Sequence, residues 1–101
     1  MYVNWVNGTD ATRRRIRYHW SLFYKIWKSF EEVATHALSK DALVFIEWPR
    51  GCAYWHVKRV KNFLEKHRFR FASFDGCMYG LRAKGGVSDG MLINKPWRVA
   101  C

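Results

Sequence analysis

The residues Ile16, Trp20, Phe23, Trp27, Phe30, Ala34 and Ala37 recur at alternating steps of four and three. At about 100° per residue they fall on one stripe about 100° wide. The pattern predicts one long amphipathic helix over residues 10–38, with Thr9 or Asp10 as its cap. A side-chain oxygen there takes up free amides of the first turn. Arg14, Arg17, Ser21, Lys25 and Lys28 fall on the opposite side, giving the helix an aromatic face and a basic face. Bulky Trp and Phe fit a heptad seam poorly, so the aromatic face is expected to pack on a sheet rather than in a coiled coil.

A basic helix face is ordinarily just its solvated side. Here, however, Arg13, Arg14, Arg15 and Arg17 crowd the helix N-terminus, where the dipole disfavours each cation by about 0.3–1 kcal/mol. A phosphate counter-anion relieves that cost. A helix that begins later, behind a flexible basic arm, relieves it equally.

The charge balance points the same way. Eighteen Lys and Arg stand against eight Asp and Glu, a formal charge of +10. An acidic partner follows, nucleic acid first and anionic membrane second. At 101 residues, half of them apolar, the chain has the length and the core material of one small folded domain. No apolar run reaches the roughly 18 residues of a membrane span, and no apolar leader precedes the helix. Asn7-Gly8 reads as a turn closing a short aromatic and polar lead-in. Three cysteines without tight spacing do not make a secreted disulfide framework. The expected setting is intracellular and reducing, cytoplasm or nucleus.

After a connection at Leu38-Ser39-Lys40-Asp41, residues 42–48 form an apolar run without alternation that carries the acid Glu47. Such a run predicts a strand buried on both faces of a parallel sheet. Pro49 ends it, because proline lacks the amide a central strand donates, and Arg50-Gly51 turns the chain. Residues 56–67 follow as a shorter helix, with Val57, Val60 and Leu64 on its buried stripe, Phe63 beside it, and Lys58, Lys61 and Glu65 outward. Residues 69–74 alternate as a strand that closes at Asp75-Gly76. Residues 77–81 extend it or cross over. Residues 83–90 hold three of the seven glycines and read as a loop. A last strand, interrupted or started by Pro96, occupies residues 91–94 and 97–101. The order helix-strand-helix-strand-strand predicts an α/β fold with a partial doubly wound, mostly parallel sheet. Because the chain stops inside that last strand, a fragment of a larger Rossmann-like domain is expected.

Three short motifs carry a resemblance. Glu47-Trp48-Pro49-Arg50-Gly51, then Cys77-Met78-Tyr79-Gly80, then Lys95-Pro96-Trp97 resemble the C-terminal half of cytosine-methylase-like proteins of phages and mobile elements. Those proteins show Glu-Asn-Pro, a Cys-x-Tyr-Gly segment, and Lys-Pro-Thr or Lys-Pro-Trp on a Rossmann-like fold that uses S-adenosylmethionine. The resemblance spans about residues 43–101. It implies that Glu47 hydrogen-bonds the target base, that Pro49 closes that motif, and that residues 95–98, including Lys95 and Arg98, lie toward the DNA side. The resemblance thereby favours DNA over RNA as the partner. Trp48 replaces the usual Asn, and Cys52 lacks the Pro-Cys context of the family's nucleophile. No early strand with a Gly-rich turn is present, so the resemblance implies a methyltransferase-like domain without its cofactor site, inactive alone. S-adenosylmethionine enters by the resemblance only.

Other constellations compete. Cys52 and His56, with Cys77 and Cys101, are Zn²⁺-ligand types but lack the usual Cys-x₂₋₄-Cys spacing. Cys52 with His56 is also a thiolate–imidazole pattern, with no third residue to orient the histidine. Glu47 and Asp75, at two strand ends, are the pattern of a Mg²⁺-dependent nuclease. Trp48, Tyr54 and Trp55 surround the turn after the first strand. They either stack on unpaired bases or, as expected with six Trp in so short a chain, lie mostly inside.

The predicted function is nucleic-acid association through Arg13, Arg14, Arg15, Arg17, Lys25, Lys28, Arg50, Lys95 and Arg98, with Glu47 as one wall of a base pocket. The alternatives are a structural or protein-interaction module without nucleic-acid binding, and a metal-dependent nuclease.

Overall fold

A computed structural model describes residues 6–101; the aromatic part of the lead-in, residues 1–5, lies outside the described residues. The chain divides into two compact units, residues 1–43 and residues 44–101.

The main element of the first unit among the described residues is the helix α1 (Asp10–Ser39). Thr9 is its N-cap, with extended backbone and a side chain that accepts from the Thr12 amide at 3.3 Å. Of the seven stripe positions, Phe23, Trp27 and Ala34 are buried and the other four are half-buried, whereas Arg14, Arg17, Ser21, Lys25 and Lys28 are all exposed. The aromatic stripe also packs along itself. Trp20 meets Phe23 edge-on at 5.5 Å, Phe23 stacks on Trp27 at 6.1 Å, and Trp27 meets Phe30 at 4.8 Å between ring centroids. The Trp27 indole N–H donates to Glu31 Oε1 at 2.6 Å, one helical turn on.

α1 closes in a Schellman motif. The Ala42 amide reaches back to the Ala37 carbonyl at 3.0 Å and the Asp41 amide to Leu38 at 3.2 Å. Asp41 supplies the left-handed residue with φ of 60°, a conformation that Asp tolerates better than most side chains.

The second unit is a three-stranded sheet with one helix. Strand β1 (Ile46–Pro49) leads through a 3₁₀ turn (Ala53–His56) into α2 (Lys58–Lys66), then strand β2 (Phe71–Asp75), a second 3₁₀ turn (Gly76–Tyr79), a loop, and strand β3 (Pro96–Ala100). The sheet order is β1-β3-β2, and both outer strands pair antiparallel with β3. The sheet is therefore antiparallel, not the mostly parallel, doubly wound sheet that the sequence pattern predicts.

The reason lies in one strand. β1 and β2 run parallel to each other, as a helical crossover dictates, but a strand-wide gap separates them. β3 enters that gap in the opposite direction, giving a split β-α-β arrangement. The order of elements along the chain is as expected; the pairing is not.

The same insertion changes the reading of β1. It lies at an edge of the sheet and covers only four residues. Residues 42–45 are outside it, and Leu43 and Phe45 are exposed, at 83% and 62%, rather than buried on both faces. Pro49 is the last residue of the strand, as expected, and pairs there with Trp97, because an edge strand tolerates a residue with no amide to donate. Its carbonyl instead accepts from the Cys52 amide and from the Trp55 indole N–H, each at 3.0 Å.

The core of this unit is Ile46, Trp55, Val60, Phe63, Leu64 and Ala100, the predicted α2 stripe meeting one sheet face. Ile46, Ala100 and Phe71 form one cross-strand row, and Trp48, Arg98 and Ser73 the next row on that same face. Glu47, Val99 and Ala72, then Pro49, Trp97 and Phe74, occupy the opposite face, since side chains alternate along a strand.

Candidate nucleic-acid interface

Two groups of cations stand out, one in each unit. On α1, Arg14, Arg17, Lys25 and Lys28 line an exposed ridge about 21 Å long at 1.5 Å per residue. Among the described residues, Arg14, Lys25 and Lys28 make no ion pair. Arg13 stands apart, half-buried beside Asp10 at 3.8 Å and directed toward the Val6 carbonyl at 3.5 Å. Arg15 is exposed on a different side of the helix. The N-terminal arginine cluster therefore splits among three directions, which spacing at 100° per residue already implies.

In the sheet unit a cleft of about 410 Å³ opens between α2 and the sheet. Its apolar wall is Trp55, Leu64, Phe69 and Phe71, and three cations, Lys61, Arg68 and Arg98, face it. His56 and Glu65 complete the rim. Arg98, on the central strand, lays its guanidinium over the Phe71 ring at 4.1 Å and near Trp55 at 5.4 Å, an attractive cation–π geometry. Trp55 is held by its indole N–H bond to Pro49, by an edge contact to Trp48 at 4.7 Å, and by one to Phe71 at 5.9 Å. Among the described residues, Lys61, Arg68 and Arg98 have no carboxylate partner.

Arg68 sits where a glycine is usual. It closes a second Schellman motif, with the Phe69 amide on the Leu64 carbonyl at 2.9 Å and the Arg68 amide on Glu65 at 3.1 Å. Its φ is 56°, a left-handed conformation that costs a residue bearing a Cβ about 1 kcal/mol.

The remaining predicted site residues scatter. Glu47 is exposed in the interior of β1, on the sheet face opposite Arg98 and Phe71, so it is not a wall of this cleft. Asp75 lies on the other face from Glu47, by the register of β3 with its neighbours. Asp75 instead pairs with Arg50 at 3.5 Å. These two carboxylates do not converge on a common cation. Arg50 is structural as well as charged. Its amide donates to the Pro96 carbonyl at 2.9 Å, and its guanidinium reaches the Phe74 carbonyl at 3.4 Å. It thereby ties the ends of the two outer strands to the start of the central one. Lys95 lies over the Trp97 ring at 4.4 Å.

Cys52, Cys77 and Cys101 are all free thiols. Among the described residues no group of three or more His, Cys, Asp or Glu side chains is placed to hold a metal ion. Trp55 is buried, while Trp48 and Tyr54 are half-buried, so the aromatic turn mainly supports the sheet. Burial, and to a smaller degree the Cys52 thiol, pushes the Tyr54 hydroxyl above its ordinary 10.0. Among the described residues no helix is long and apolar enough to cross a membrane.

Sequence reasoning missed Lys61, Arg68, Phe71 and Trp55 as a set. They are separated by up to sixteen positions along the chain, and only the crossover through α2 brings them to one cleft. A local signal existed for one of them. Many helices end on a residue with positive φ, usually glycine, and the helix-ending His67-Arg68-Phe69 offers neither glycine nor asparagine.

Compared with known proteins, the chain matches no family model, no curated protein and no solved structure.

Proposed function

We propose that this chain is a nucleic-acid-binding module whose affinity comes mainly from the basic ridge of α1. The supporting observation is the ridge itself: Arg14, Arg17, Lys25 and Lys28 exposed in a row about 21 Å long, matching about six base-pair steps at 3.4 Å each. Cations so arranged neutralise backbone phosphates and release the counterions condensed on them, which favours binding without selecting a sequence.

The measurement is fluorescence anisotropy of labelled DNA duplex titrated at several salt concentrations. About four phosphate contacts give a slope of log K against log salt near −4, and roughly a hundredfold loss between 50 and 200 mM salt. Replacing Arg14, Arg17, Lys25 and Lys28 by Gln removes most of that slope, each contact contributing about one unit. Absence of binding at low salt by the unaltered protein sinks the proposal.

A protein-interaction role has its own observation. Tyr18, Ile26 and Val33 are exposed on α1, at 67%, 66% and 70%, and with Leu22 they share a side of the helix next to the cations. Salt-insensitive self-association, abolished by Ile26→Gln with Val33→Gln, would favour this second reading.

A further inference from the structure

The cleft between α2 and the sheet differs chemically from the α1 ridge. We infer that it binds one unpaired nucleobase together with an adjoining phosphate, so that the chain takes single-stranded nucleic acid in preference to duplex. This rests on the nucleic-acid reading above and deepens it.

Three observations converge. The first is shape and size: about 410 Å³ lies within the range of small-ligand sites, which are clefts with apolar walls and a few placed polar groups. The second is the aromatic and guanidinium surface. Phe71 is 47% exposed, so its ring is open to a ligand, and Arg98 over it presents a second flat π surface. Flat heteroaromatic rings stack on both kinds of surface. Trp55 is pinned beneath them by its bond to Pro49, which presets the geometry before any ligand arrives.

The third is charge. Lys61, Arg68 and Arg98 line the cleft beside one carboxylate, Glu65, leaving an excess of cation suited to a phosphate. Arg guanidinium groups offer paired N–H donors to phosphate oxygens. Arg68 adds an independent indication. It holds a left-handed conformation, φ 56°, at a helix end where glycine is unstrained. The strained residue carries its cation to the cleft, and local strain concentrates at binding sites.

A base inside a duplex cannot enter. Its faces are covered by its neighbours, and exposing them costs a few kcal/mol. An unpaired base meets no such cost, so the cleft discriminates by strandedness while the ridge does not.

The experiment uses the full chain and two labelled probes of one sequence, a ten-nucleotide single strand and the corresponding duplex, read by anisotropy. The unaltered protein is expected to bind the single strand at least tenfold more tightly. Phe71→Ala, a half-exposed change on an edge strand, lowers single-strand affinity about tenfold and leaves duplex affinity unchanged. Arg68→Gly guards against a folding artefact. It raises the thermal midpoint by about 4 °C through relief of strain, yet weakens single-strand binding about fivefold.

If both variants bind the single strand as the unaltered protein does, the cleft inference is overturned while the ridge proposal stands. If a polyglutamate peptide displaces the single strand from the unaltered protein as well as unlabelled single strand does, the cleft takes acidic chains in general and the inference also fails. Loss of all binding at low salt removes both readings together.

Discussion

The α1 ridge and the cleft of the sheet unit carry similar numbers of cations but present them in different ways. On the ridge, Arg14, Arg17, Lys25 and Lys28 project from a helix at positions set by 3.6-residue geometry, exposed to solvent. Set in a row on an open helix face, they respond to negative charge more than to shape. In the cleft, Arg98 is laid against two aromatic rings, Arg68 is fixed by a strained helix end, and Lys61 comes from the flank of α2. The ridge supplies long-range attraction that salt screens within about 10 Å at 0.1 M. The cleft supplies contacts that depend on the shape of what enters. Charge alone gives affinity; charge held against a rigid apolar wall gives choice.

Three perturbations break or sharpen this contrast. The largest effect is expected at the floor of the cleft. Leu64 is 4% exposed and belongs both to the core and to the cleft wall. Leu64→Ala should cost about 3 kcal/mol of unfolding free energy in urea denaturation. Below the unfolding transition it should leave the salt slope for duplex near −4. A fall in that slope would show that ridge and cleft do not act separately.

A smaller effect is expected at Arg50, the predicted binding residue that the fold has taken for its own use. Its pair with Asp75 is half-exposed, at 45% and 39%, so Asp75→Asn should change stability by less than about 1 kcal/mol. It should steepen the salt slope by at most about one unit as Arg50 becomes available to phosphate. A stability loss of several kcal/mol would instead make the pair a main support of the sheet.

The smallest effect concerns Tyr54, in the turn after β1. Its hydroxyl titrates above 10.0 in the folded protein, chiefly because of burial. The stabilising contribution is fully present below pH 10.0, where both states are protonated. It is lost as pH rises through the raised folded value, because the unfolded chain releases its proton first. Comparing denaturation of the unaltered protein with Tyr54→Phe at pH 9 and pH 11 isolates this effect from lysine titration. The two proteins should diverge only at the higher pH, with the phenylalanine variant declining less.

Legibility in the sequence followed the range of the interactions involved. The bounds of α1 came within one residue of the predicted 10–38, because cap, stripe and basic ridge are all local. Thr9 and the Ile16-to-Ala37 pattern contain the whole instruction. The α2 stripe was legible for the same reason. Pro49 was legible as the end of its strand, since β1 closes on it, but its place on a sheet edge was not, because only the pairing with β3 sets that. Asp75 and Glu47 looked equivalent along the chain as acids at strand ends. Register then put them on opposite faces, since a shift of one residue in pairing reverses every side chain.

By itself the amino-acid sequence determined a basic, aromatic-rich chain with one long capped helix, a second amphipathic helix, and apolar segments suited to strands. All of these depend on residues within a turn or two of each other. Only the tertiary structure decided that β3 enters antiparallel between β1 and β2. That single long-range pairing brings Arg98 over Phe71 and against Trp55, and so makes a cleft where the chain otherwise carries scattered residues. Periodicity reports which face of an element is buried; it carries no information on the direction or partner of a distant strand.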